Sequence, residues 1–96
     1  MKFEWDEEKN KENIRKHQLD FVDAWEIFDA PMLTNLDTRE DYGEARWIGI
    51  GFLKNFIVVV TYTERDNVIR IISLRKALKH ERTRFEEALR NKLGES

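Results

Sequence analysis

The sequence predicts an α+β domain: a small, mainly antiparallel β-sheet with two N-terminal helices and one long C-terminal helix. Three observations predict it. Short alternating or β-branched segments occur at the start and then in close succession through the middle of the chain. Before residue 30 and after residue 74, the spacing of side-chain types is instead three to four residues, the period of a helix. A length of 96 residues suits a single domain, 1–96, with a modest core.

Phe3-Glu4-Trp5 alternates and reads as a short opening strand. Asp6 is a good N-cap for a helix from Glu7 to about His17, with Glu7 and Glu8 favourably placed in its first turn. Ile14 is the only strongly apolar residue of that helix. Asn10, Asn13, Ile14 and His17 share one face, so inward packing there has to rely on hydrogen bonds. Asp20 caps a second helix, Phe21 to Phe28, with Phe21, Ala24, Trp25 and Phe28 as its apolar stripe. Asp29-Ala30-Pro31 ends it, because proline cannot continue a helix.

Met32 to Leu36 is a weak strand, and Asp37 to Glu44 a polar loop with Gly43. Arg46 to Leu53 is a strand whose Gly49 and Gly51 leave bare backbone on one face, open to a helix, a strand or a ligand. Lys54-Asn55 is a two-residue hairpin turn. Phe56 to Thr63, apolar on both faces, belongs in the middle of the sheet. Glu64 to Asn67 turns the chain into Val68 to Ser73. A final helix covers Arg75 to Leu93 and stops at Gly94, burying Leu74, Leu78, Phe85, Leu89 and Leu93.

Three Trp and six Phe in a chain that is 38% charged argue for an ordered fold with few, large core residues. Without cysteine there are no disulfides and no thiolate catalysis. The longest apolar run, Phe56 to Val60, is far too short to span a bilayer, and the start lacks a signal peptide's apolar core. The expected location is cytoplasmic. Residues 1–63 carry a net charge of −5 and residues 64–96 one of +3. The acidic part disfavours broad binding to a long duplex, whereas a local cationic pocket for one or a few phosphates remains compatible.

That pocket is expected between Thr63 and Arg82, where a strand hands over to a helix and only Glu64, Asp66 and Glu81 are acidic. Arg70 interrupts an apolar strand, and alternation places it on a face with Val68 and Ile72. It either guards a sheet edge or meets an anion. Ser73, Arg75, Lys76, Lys79 and His80 cluster at the junction, where Lys76, Lys79 and His80 share a helical face. For any one of these lysines, a solvated cationic surface is the better explanation. His80 adds the side-chain type that most readily exchanges a proton at neutral pH. Glu81 falls on the apolar stripe and requires an arginine partner. Asp37, Asp41 and Glu44 match no strong metal-ligand spacing, and no metal site is assigned. His17, with no second His or Cys nearby, reads as a packed or helix-terminal histidine.

Four segments together resemble the BrnT-type toxins, small ribonucleases of bacterial toxin–antitoxin pairs. They are FEWDEEKNKENIRKH (Phe3 to His17), LDFVDA (Leu19 to Ala24), DTREDYGEAR (Asp37 to Arg46) and VVVTYTERDNVIRIISLRKALKHER (Val58 to Arg82). Two departures stand out: Gln18 where the family usually has glycine, and Phe85 where it tends to have tyrosine. The resemblance implies a RelE-like fold, metal-independent cleavage of RNA, and translation arrest. It also implies a BrnA-type antitoxin with a ribbon-helix-helix domain, through which alone the pair would reach DNA. No cofactor or membrane partner is implied. On this reading a ribose 2′-hydroxyl attacks the adjacent phosphate. Arg70, Arg75 and Lys76 stabilise the developing charge, His80 is the candidate acid or base, and Glu64 is the next candidate base. Arg65, Lys79 and Ser73 would hold the RNA. The rival reading is a non-catalytic interaction module whose basic segment binds an acidic or DNA-binding partner.

Overall fold

The computed structural model describes residues 1–94, with side chains through residue 92. In chain order they form β1 (Lys2–Trp5), α1 (Glu7–His17), a 3-10 turn (Phe21–Asp23), α2 (Trp25–Phe28), β2 (Met32–Leu36), β3 (Trp47–Leu53), β4 (Phe56–Arg65), β5 (Val68–Lys76) and α3 (Lys79–Gly94). The five strands make one sheet, ordered β1-β5-β4-β3-β2. Strands β2 to β5 pair antiparallel in sequence order, but β1 joins the edge parallel to β5, with Lys2 opposite Val68 and Trp5 opposite Ile71. The sheet is therefore mixed, a correction to the mainly antiparallel expectation. Alternation says which face a residue occupies but not which way its strand runs.

Helix α1 starts as expected, with the Asp6 carboxylate accepting the N–H groups of Glu8 and Lys9. Its packing is also as expected in kind. Asn10 and Asn13 are buried, and both work through hydrogen bonds. Asn13 donates to the Leu19 carbonyl at 3.0 Å and accepts from the Leu74 N–H at 3.1 Å, tying α1 to β5. Asn10 accepts from the Phe21 N–H at 2.8 Å and donates to Asp20 at 2.9 Å. Ile14, the one large apolar residue, faces out. The helix closes on Gln18, held in the left-handed region at φ 56°.

The predicted second helix is broken into the 3-10 turn and the single turn of α2, so Phe21, Ala24 and Ile27 are buried while Trp25 is exposed. One face of the sheet carries α1 and α2 over the main core, where Leu53, Val58, Val60, Ile69, Ile71 and Leu74 meet Phe21 and Ile27. Full burial of each such side chain stabilises by about 1.5–3 kcal/mol. The bare glycine face is covered by α2 and β2. A Cβ on Gly51 would come within 2.8 Å of Ile27 Cγ2, and one on Gly49 within 2.3 Å of Met32 Cε. On the opposite face α3 lays Phe85 and Leu89 over Ile50, Val59 and Ala77.

Both hairpins are tight. Lys54-Asn55 connects β3 to β4 as expected. The second turn is only Asp66-Asn67, at φ 53° and 65°, so Glu64 and Arg65 belong to the end of β4. Strand β5 runs three residues further than expected, because Arg75 and Lys76 pair with Val59 and Val58. Leu74 is consequently a buried strand residue, Leu78 precedes the helix and is exposed, and α3 begins at Lys79. The Leu93 side chain lies outside the described residues, and Gly94 is the last described residue of α3. Thr61 faces Ser73 but Tyr62 faces Ile71, which leaves Ile72 as the extra residue of a β-bulge.

Candidate functional site

The bulge decides which β5 side chains share a face. Arg70 lies opposite Thr63, Ser73 opposite Thr61 and Arg75 opposite Val59, so all three project to the side that carries α3. Strict alternation puts Arg70 and Ser73 on opposite faces, which is why the sequence paired Arg70 with Ile72 instead. Arg70 is not an edge residue either: β5 is flanked by β1 and β4.

At the end of β5 lies a cavity of about 310 Å³, lined by Lys16, His17, Gln18, Arg75, Lys76 and Leu78. It combines the C-terminal turn of α1 with the last residues of β5, and its lining holds no carboxylate. The carboxylate that matters is behind it. Glu81 receives Arg75 Nη1 and Nη2 at 2.7 and 2.9 Å and also accepts the Leu78 N–H at 2.8 Å. One side chain thus caps α3 from its third position and fixes the plane of the guanidinium. The Arg75 hydrogen bonds, opposed by burial, hold the Glu81 carboxyl down to about 2. The same pairing raises Arg75, against burial and a nearby Arg39. The arginine partner expected for Glu81 is therefore present.

A guanidinium has five N–H donors. Glu81 and the Lys76 carbonyl, the latter at 3.4 Å, face three of them. Two remain for a ligand. The Lys76 ammonium lies 4.5 Å above the exposed Phe56 ring, on the opposite face of the sheet from Arg75. The cavity sits where the strand ends, so side chains from both faces reach it. Such an arrangement presents several cations to one anion beside an apolar rim.

A second polar recess of about 230 Å³ occupies the open part of the α3 face and is lined by Glu4, Glu44, Thr63, Arg65, Val68 and Arg70. Here the cations are loosely held: Arg70 is 3.5 Å from Glu4 and Arg65 is 3.4 Å from Glu44, all four exposed. The predicted cluster is therefore divided. Arg75 and Lys76 come together at the junction, Arg70 and Arg65 lie in the second recess, and Ser73 stands half-buried between them along β5. Glu64 is exposed, and its partner Ile69 places it on the α1 face, opposite Arg70. Lys79 and His80 are exposed in the first turn of α3 and line neither recess. On the helical wheel His80 lies about 140° from Phe85, directed away from the sheet.

Several residues in and around these recesses were not singled out by the sequence. His17 and Lys16 form a wall of the junction cavity. The signal was present: His17 stands four residues after the buried Asn13, on the same helical face. Arg39 makes a two-pronged bond to the buried Asp37, at 2.9 and 2.8 Å, and Asp37 is pushed far below the usual carboxylate range by it. Arg46 stacks on Tyr42 at 3.9 Å. Asp41 accepts the Gly43 N–H. The loop carboxylates Asp37, Asp41 and Glu44 thus have local partners, and among the described residues no three His, Asp or Glu side chains gather as metal ligands. An apolar groove between Met32 and Leu89 has Lys92 as its one charged lining residue. No helix among the described residues is long and apolar enough to cross a membrane.

Over residues 5–81 the chain matches the family model described as the ribonuclease toxin BrnT of type II toxin–antitoxin systems. The match takes in both walls of the junction cavity together with Glu81. No individual curated protein matches the chain. The protein belongs to the BrnT family of ribonuclease toxins, a membership that brings with it an RNA substrate and an antitoxin partner.

Proposed function

We propose that this BrnT-family ribonuclease toxin cleaves RNA without a metal ion and does so at the β5–α3 junction. A ribose 2′-hydroxyl attacks the adjacent phosphate, leaving a cyclic phosphate and a 5′-hydroxyl. The reaction needs positive charge around the phosphorane that forms on the way. Arg75 and Lys76 supply it, and the observation that carries this reading is the Glu81 clamp on Arg75. A guanidinium already held in one plane loses little freedom when the phosphate arrives, so its attraction goes to the developing charge. Arg70 and Arg65 in the second recess hold neighbouring phosphates, and Ser73 lies along the path between them. Lys79 adds attraction from the exposed start of α3, where His80 also lies. The toxin is cytoplasmic, has a RelE-like fold, and is neutralised by a BrnA-type ribbon-helix-helix antitoxin.

The test is digestion of total RNA by purified protein in EDTA, repeated on ribosomes. Arg75→Ala is expected to lose cleavage by about 10²–10³-fold, the size of a lost transition-state donor. Arg70→Ala is expected to weaken RNA binding in a salt-dependent way and to reduce cleavage far less. Undiminished cleavage by Arg75→Ala sinks the site, and wild-type cleavage abolished by EDTA sinks the metal-free chemistry. RNA left intact by the wild type under every condition favours the interaction-module reading.

A further inference from the structure

We propose that His17 is the group that takes the proton from the attacking 2′-hydroxyl, an assignment that rests on the ribonuclease reading above. Of the six side chains lining the junction cavity, Lys16, Lys76 and Arg75 are donors without a free lone pair, while Gln18 and Leu78 take no proton. His17 alone has a nitrogen lone pair suited to accepting one at neutral pH. Its half-buried ring makes no hydrogen bond among the described residues, so both nitrogens are available to a substrate.

Its placement is rigid for a reason visible four residues earlier. Asn13 joins α1 to the Leu74 N–H, and Leu74 is the residue immediately before Arg75. The wall bearing His17 and the wall bearing Arg75 are thereby fixed to each other through a buried amide. Asn10 anchors the preceding turn, and Gln18 closes the helix directly after the histidine. Proton transfer demands this kind of fixed separation, because a small misplacement costs much of the rate. His80 has no comparable anchor.

In the step itself, an imidazole nitrogen accepts the hydroxyl proton while the O2′–phosphorus bond forms. The phosphorus–O5′ bond breaks with its electron pair on O5′, which takes a proton from water. Arg75 and Lys76 face the charge that accumulates on the non-bridging oxygens.

The experiment measures kcat against pH on a single-stranded oligoribonucleotide for wild type and His17→Gln, together with their thermal melts. Loss of about 100-fold or more in kcat, a flattened acidic limb and an unchanged melt are expected, with imidazole partly restoring His17→Ala. Wild-type kcat and an intact acidic limb in His17→Gln overturn the assignment. If Arg75→Ala is inactive while His17→Gln is active, His17 alone falls and the ribonuclease site stands. If the wild type cuts neither free nor ribosome-bound RNA, the ribonuclease reading fails and the assignment falls with it.

Discussion

Arg70 and Arg75 occupy one strand and one face of the sheet, yet they are held in opposite ways. Arg75 is gripped at two points by a largely buried carboxylate that also caps a helix. Arg70 faces Glu4 at 3.5 Å across open solvent, each partner about half exposed. Pairing in water contributes little and leaves a side chain free to exchange partners, whereas a clamped guanidinium keeps one direction at the expense of solvation. The first arrangement suits reading a flexible backbone and the second suits a reaction centre. The charge alone does not distinguish them; the partner does.

The sharpest way to break that contrast is Glu81→Ala. It strands a part-buried guanidinium and removes the cap from the Leu78 N–H, and is expected to cost about 3 kcal/mol of stability, read by urea unfolding. A cost no larger than that of an exposed pair would erase the distinction. A smaller, graded effect comes from acid. The Glu81 carboxyl is held at about 2 against an ordinary 4.5, so the folded state binds its proton later than the unfolded chain does. The stability it contributes is complete above the ordinary value and is lost as pH falls from there towards 2. Asp37, lowered by Arg39, acts in the same sense. Melting temperature against pH is expected to show this limb, and Glu81→Gln to make it shallower. The smallest effect belongs to Glu4→Ala, expected to change stability by less than about 0.5 kcal/mol. A larger loss in the same urea titration would show that the Arg70 pair is not loose.

Much of this fold was legible in the residues. Asp6, the Lys54-Asn55 turn and the polar face of α1 each act locally, and local chemistry is what a sequence displays. The end of β5 was not. Ser-Leu-Arg-Lys looks like the start of a basic helix, but Val58 and Val59 across the sheet give Lys76 and Arg75 strand partners, and tertiary pairing overrode local preference. The expected cationic cluster at the strand–helix junction is divided by the structure between two recesses. That Glu81 needs an arginine was visible because a carboxylate on an apolar stripe demands a cation; that the arginine is Arg75 comes from the structure. His17 is the half-buried, helix-terminal histidine expected, but its place in the cavity was hidden, since its neighbours there are about sixty positions away in the chain. The bond between Asn13 and Leu74, with the packing of α1 on the main core, brings them together.

The extra residue at Ile72 acts as a half-period phase shift in β5. Counted along the chain, Arg70 and Arg75 are an odd number of steps apart, and a perfectly regular strand would send them to opposite sides of the molecule. The shift restores them to one side. Two chains can therefore carry the same arginines in the same order, differ by one residue between them, and present different surfaces. Removing Ile72 changes no charged side chain, yet it would either turn one arginine through the sheet or force the strand to slip against β4. In this protein the distance between residues of β5 is meaningful only when counted modulo two, with the bulge included.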